Sequence, residues 1–222
     1  MIFKTRGIVF RFTKFKETSI IVTIFTEVFG LQSYIVNGVR SKSAKNKIAL
    51  YQPLTLLNLV VYHRENANIE RIKEIAILHP YRSLATNIKK STLAIFINEL
   101  LNKTVKDESH TAEVFQFICD SLIILDTKED GYENFHLIFM VKLSRFLGFG
   151  AHKLNEIIGG KIADRETEKL IDELLLADYD TFLKINNMQR RNILDLLLKF
   201  YHEHMDSLGE IKSVHVLREV FM

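Results

Sequence analysis

IVFRFTKFKETSIIVTIFTEVFGLQSYIV, residues 8–36, is the stretch whose reading decides the fold. Apolar and polar residues alternate along most of it. IVFRF (8–12) points Ile8, Phe10 and Phe12 to one face. In TSIIVTIFTE (18–27), Ile20, Val22 and Ile24 point one way, and Ile21, Thr23 and Phe25 the other. A period of two is that of a strand, because successive side chains leave a pleated backbone on opposite faces. KFKE (14–17) and VFGL (28–31) sit where such strands must reverse, and LQSYIV (31–36) resumes the alternation. Further on, LTLLNLVVYHR (54–64) is rich in Leu and Val at strand length. RENAN (64–68) makes another hairpin, and NIERIKEIAIL (68–78) is a weaker fifth strand. Five short strands with no helix-length pattern among them imply a small closed or nearly closed barrel. A flat sheet would leave two open edges exposed to aggregation.

After Pro80 and Tyr81 the period changes to 3.6 and no further proline occurs. Helices are predicted over 82–104, 109–126, 132–147, 164–177 and 187–206, with a short one at 213–221. LIFMVKLSRFL (137–147) is apolar nearly all round, which marks a buried central helix. Gly148 and Gly150 end it, and Asp164 is placed to cap the next helix. The expected fold class is therefore α+β with two domains: a β-barrel over 1–80, then an all-α domain over 81–222.

The chain has 222 residues, 47% of them apolar, enough for a substantial core. No run of about 18 apolar residues is present, so no membrane span is expected. MIFKTRGIVF lacks the layout of a secretory signal, and a cytoplasmic protein is the default. The single cysteine, Cys119, leaves no internal disulfide and no multi-cysteine metal site. Net charge is +3, but it is unevenly spread. Residues 1–80 hold 12 Lys and Arg against 5 acids, a balance of +7, while residues 81–222 hold 18 against 22, a balance of −4. A basic first half points to a polyanion-binding module on a different kind of scaffold.

The basic character concentrates in NGVRSKSAKNK (37–47). Asn37-Gly38 suits a turn, and Arg40, Lys42, Lys45 and Lys47 follow among Ser, Ala and Asn. No acid occurs from Val28 to Arg64. Flexible cations of this kind bind phosphate backbones through Coulomb attraction and counterion release. Lys4, Arg6, Arg11, Lys14 and Lys16 alternate with Phe3, Phe10, Phe12 and Phe15, the parts of a single-strand platform on which rings stack bases. The competing reading is a solvated loop and buried phenylalanines.

Enzyme signatures fail. GGK (159–161) lacks the earlier glycine and the following Ser or Thr of a phosphate loop, having Asn155 and Ile162 there. HEHMD (202–206) puts His202 and His204 on opposite sides of a helix, and His202 with Asp206 makes only a two-ligand set. Cys119 lies on an apolar helix face with no activating base nearby, as a packed core thiol does. The acids of DRETEKLIDE (164–173) read as a solvated helix face. No catalytic residue, metal site or cofactor is expected.

The segments KTRGIVFRFTKFKETSIIVTIFTEVFGLQSYIVNGVRSKSAK and QPLTLLNLVVYHRENANIERIKE resemble the RecO family of bacterial recombination mediators, as do LSRFLGFG (143–150) and IKSVHVLREVF (211–221). The resemblance is dense over 1–80 and collinear afterwards. It implies an OB-fold barrel followed by a helical domain. It also implies binding of single- and double-stranded DNA, strand annealing, and action with RecR and the single-strand-binding protein in loading RecA, in the bacterial cytoplasm at the nucleoid. Arg40, Lys42, Lys45 and Lys47 are the carried-over DNA-binding positions, with Arg6 near the same face. Charge alone extends the set to Lys14, Lys16, Arg64, Arg71 and Lys73. Arg145 and Arg165 are candidates, on sign alone, for the acidic tail of the single-strand-binding protein. Many members carry a four-cysteine zinc module after the L-G-F turn. Here GAHKLNEIIGGKIAD (150–164) has no cysteine, so zinc is not expected there. A protein-binding scaffold with a basic barrel is the alternative function. A phosphodiester hydrolase is a further one, opposed by the scarcity of acids in the basic half.

Overall fold

The computed structural model describes residues 1–41, 47–64, 67–106, 110–159 and 164–221. Its strands are β1 (Ile2–Phe15), β2 (Ser19–Thr26), β3 (Gly30–Val36), β4 (Leu56–Tyr62) and β5 (Glu70–Ile77). Its helices are α1 (Ile88–Thr104), α2 (Thr111–Thr127), α3 (Phe135–Phe146), α4 (Leu154–Ile158), α5 (Arg165–Leu176), α6 (Asn187–His204) and α7 (Val214–Phe221). They form two compact units. One is residues 1–81 with 106–123, the other 82–105 with 124–222.

In the first unit the strands close a barrel in the order β1-β2-β3-β5-β4. Neighbours are antiparallel except for β3 and β5. This is the closed five-stranded arrangement of an OB-fold, and it removes the open edges. β1 is the longest strand, and its two pairings occupy successive parts of it: residues 2–8 pair with β4 and residues 7–15 with β2. Gly7 pairs on both sides, with Thr26 and Leu57. A Cβ on Gly7 would lie 2.7 Å from Ile24 Cγ2 and from Leu59 Cδ1. Gly7→Val is therefore expected to cost about 1–3 kcal/mol by overpacking, seen as a lower urea midpoint at unchanged slope. A midpoint within error of the parent's would mean that Leu59 and Ile24 swing aside freely.

The expected shared face of Ile8, Phe10 and Phe12 is broken by a bulge, since the register shifts between Val9 and Arg11. One extra residue reverses the facing of everything after it. Val9 sits in the barrel core with Ile20, Val22, Ile24, Tyr34, Leu57, Leu59 and Val61, and Phe12 packs against that core. Phe10 stacks on Phe25 instead, 5.6 Å between centroids, and Phe25 meets Phe115 of α2 at 6.3 Å. The outer apolar face of β1 and β2 is thus covered by the first part of α2. This is why residues 106–123, beyond the sequence boundary at 80, group with the barrel.

In the second unit α3 is buried nearly all round, as its composition predicts. Tyr201 of α6 donates its hydroxyl to the Met140 carbonyl at 2.7 Å. Side chains cap the helix starts: Asn87 for α1, Asp164 for α5 as expected, and Asn186 with Gln189 in a reciprocal box for α6. α1 begins at Ile88, not 82, because residues 82–84 are held in a turn by the Asp126 carboxylate, which accepts from their backbone N–H groups at 2.8–3.1 Å. The other predicted helices start within three residues of their expected positions. α4 is additional, in a stretch for which the sequence predicts no helix, and ends on Gly159 in the left-handed region. Among the described residues no helix is long and apolar enough to cross a membrane.

Candidate nucleic-acid interface

The turn between β1 and β2 is stitched to the turn after β3. Ser19 donates to Asn37 Oδ1 at 3.0 Å, Arg40 N to the Thr18 carbonyl at 3.0 Å, and Arg40 Nη1 to the Lys16 carbonyl at 3.3 Å. Gly38 takes φ +72, which turns the chain at little steric cost. The stitching brings half-buried Arg40 beside exposed Lys14 and Lys16. Lys47 is exposed at the start of a 3₁₀ turn, Lys47–Tyr51. Lys42 and Lys45 lie outside the described residues.

Strand pairing extends this cluster into a belt. Lys14 pairs with Ile20, Ile20 with Val36, Ile35 with Arg71, and Arg71 with Tyr62. Four inter-strand steps of about 4.8 Å make a path of roughly 20 Å around the barrel. Lys14, Lys16, Arg40, Arg71 and Arg64 therefore share one rim, although 57 residues of sequence separate Lys14 from Arg71. Among the described residues, Lys14, Lys16, Arg40, Lys47, Arg64 and Arg71 have no carboxylate at ion-pair distance. Their charge is available to an anion.

Two basic candidates are engaged elsewhere. Arg6 forms a two-point pair with Glu27, 2.8 and 2.6 Å, donates to Gln116 Oε1 at 2.8 Å, and lies 5.1 Å from the Phe115 ring centroid. These hydrogen bonds hold the Glu27 carboxyl below its ordinary range and push the Arg6 guanidinium up. Arg6 thus joins β1 to the first part of α2. Lys73 is 3.6 Å from Glu74. The proposed phenylalanine platform is mostly interior: Phe10 is buried, and Phe3 and Phe12 pack against the core. Phe15, with Lys16 Nζ 5.4 Å from its centroid, remains at the rim. In the helical unit Arg145 donates to the Leu175 carbonyl at 2.6 Å, and Arg165 is exposed in the first turn of α5.

Sequence reasoning passed over Tyr62, an exposed aromatic at the end of β4. The alternation of Leu57, Leu59 and Val61 into the core already turns Tyr62 outward. It also passed over Glu70, whose side chain is 1% exposed. Glu70 Oε1 accepts from Arg64 N at 2.7 Å and lies 3.2 Å from His63 Nδ1, while Oε2 has no partner. Burial, helped by the charge of Glu70, pushes the Tyr34 hydroxyl well above its ordinary value.

No cluster of three or more metal-ligating side chains occurs among the described residues. Cys119 is buried, which disfavours its thiolate. His202, His204 and Asp206 are exposed, and His204 stacks on Phe149 at 5.1 Å.

The description "Recombination protein O N terminal" matches residues 1–81, and "Recombination protein O C terminal" matches residues 85–167. Proteins named DNA repair protein RecO are similar over nearly the whole chain. The one from Flavobacterium psychrophilum is 34% identical over 98% of both chains, and that from Flavobacterium johnsoniae 33% over 98% of both. The one from Bacteroides fragilis is 31% identical over 100% of both. With a closed five-stranded barrel, a helical unit and these full-length likenesses, the chain belongs to the RecO family of DNA repair and recombination proteins.

Proposed function

We propose that this chain is a DNA-binding recombination mediator that works without covalent catalysis. The barrel, residues 1–80, grips the backbones of single- and double-stranded DNA, and the helical part, residues 81–222, holds protein partners. The observation that carries this reading is the rim of unpaired cations at Lys14, Lys16, Arg40, Arg64 and Arg71. Lys42, Lys45 and Lys47 extend it in sequence. Cations shared between two strands lower their repulsion, which lets complementary strands anneal. Family membership supports action with RecR and the single-strand-binding protein, and indirectly with RecA filaments, in the cytoplasm at the nucleoid. Arg165 is a better contact than Arg145 for an acidic protein tail, because Arg145 is engaged with Leu175.

The test is fluorescence anisotropy of a labelled single-stranded oligonucleotide across a salt series. Log affinity is expected to fall linearly with log salt. Replacing Arg40, Lys42, Lys45 and Lys47 together by alanine is expected to flatten the slope by about 0.7 per lost contact, close to 3 in all. An unchanged slope removes this loop from the mechanism. Absence of binding at low salt favours the protein-scaffold reading.

A further inference from the structure

Among the described residues of the barrel unit, Glu70 is the one buried carboxylate. Its side chain is 1% exposed, and no described Lys or Arg lies at ion-pair distance from it. Oε2 has no partner, and Oε1 accepts one hydrogen bond, from the Arg64 backbone N–H at 2.7 Å. His63 Nδ1 lies 3.2 Å from the same oxygen. Enclosing a carboxylate with so few partners is costly, and an apolar side chain of similar volume is commonly no less stable. Stability therefore does not account for Glu70. What its carboxylate does is hold the backbone of Arg64.

The same residue sets the position of Arg71. Among the described residues β5 joins β3 through two pairs, Tyr34 with Glu70 and Ile35 with Arg71. Consecutive side chains leave a strand on opposite faces, so buried Glu70 points into the barrel and exposed Arg71 points out. The end of β4 is fixed from its other side as well. The Met1 ammonium donates to the His63 carbonyl at 2.9 Å, His63 N donates to the Met1 carbonyl at 2.9 Å, and Phe29 stacks on the His63 ring at 4.0 Å. His63 and Glu70 are thus both held, and each is followed directly by an exposed arginine of the rim.

Resting on the DNA-binding reading above, we infer that Glu70 is a positioning residue for the phosphate grip. It touches no DNA. From inside the barrel it joins the end of β4 to the start of β5, and so presents Arg64 and Arg71 together to the backbone of a strand. Fixing two cations before the strand arrives spares the entropy of ordering them on binding.

The test compares salt slopes on a labelled single-stranded oligonucleotide. Arg64→Ala with Arg71→Ala is expected to flatten the slope by about 1.4, two contacts at about 0.7 each. Glu70→Met removes the acceptor at similar volume. It also removes a negative charge, so Coulomb attraction alone predicts tighter binding. The positioning role predicts the opposite: weaker binding, a slope flattened by about 0.7 to 1.4, and no further loss when Glu70→Met is added to the two alanines. Glu70→Gln keeps an oxygen for the Arg64 N–H and is expected to keep the parent's slope. Equal or tighter binding by Glu70→Met, an equal loss in both backgrounds, a Glu70→Gln as weak as Glu70→Met, or an unchanged slope in the double alanine variant overturns the role and leaves the rest of the rim standing. Hydrogen exchange of the parent, read by NMR, needs no variant to fold: the Arg64 amide is expected to exchange about 100-fold more slowly than an exposed amide, and rapid exchange overturns the role. A parent that binds no DNA at low salt overturns the DNA-binding reading, and the role with it.

Discussion

Asp126→Ala is expected to lower the stability of the helical unit by about 3–5 kcal/mol. Asp126 is buried and accepts three successive backbone N–H groups, from Arg82, Ser83 and Leu84. Its backbone carbonyl accepts from Ser83 Oγ at 2.5 Å and from Lys90 Nζ at 2.7 Å. Lys90 is only 3% exposed, and its ammonium also donates to Ser83 Oγ at 2.6 Å and lies 5.4 Å from the Tyr132 centroid. Burial lowers the Lys90 pKa, with the attraction of Asp126 working against that shift. Alanine would leave a buried ammonium without its anion and three donors without an acceptor, each a costly loss in a dry interior. Asp126→Asn keeps an acceptor oxygen and removes the charge, so it should fall between the parent and alanine. Urea unfolding followed by helical circular dichroism reads both. A loss under about 1 kcal/mol for alanine would mean that water reaches these groups and that the turn at 82–84 holds without the carboxylate.

Acid is expected to weaken the protein through His136. This side chain is fully buried in α3, between Phe96 at 6.0 Å and Phe221 at 6.4 Å, and neither ring nitrogen makes a hydrogen bond of good geometry. Burial, joined by the nearby Arg190 charge, lowers its pKa to about 3. Arg190 is itself buried, donating to Asn134, Asn187, Ile185 and Phe221. The unfolded chain, with an ordinary histidine near 6.5, takes up the proton first as pH falls. The stability is therefore complete above about pH 6.5 and is lost as pH falls towards 3, at about 1.4 kcal/mol per pH unit, roughly 4–5 kcal/mol in all. His136→Leu removes the titration and suits the apolar surroundings. The difference between parent and His136→Leu, measured by urea unfolding from pH 7 to pH 4, isolates this group from the carboxylates common to both. Parallel pH curves would assign the acid sensitivity elsewhere.

The strands and helices were legible because their signals are local. Ile20, Val22 and Ile24 alternate in the sequence and line the barrel core as the pleat requires. The apolar run of α3 reads as a buried helix and is one. Phe12 was misassigned because nothing in IVFRF marks the bulge that reverses its facing. Arg6 reads as a free cation beside Gly7, but it is held by Glu27, 21 residues away, and by Gln116, 110 residues away. Tyr62 was within reach, since the alternation of β4 points it outward. Its setting was not, because Ile2 and Arg71 become its neighbours only when the barrel closes.

By itself the sequence determined a strand-rich basic first part, a helical second part and an acid-free run of cations at 37–47. These depend on side-chain period and charge along the chain, which local geometry translates directly. Only the tertiary structure decided which cations remain free, that residues 106–123 belong with the barrel, and that Arg64 and Arg71 flank an exposed ring. These are consequences of strand pairing and burial between distant residues, and no local pattern encodes which surfaces will meet.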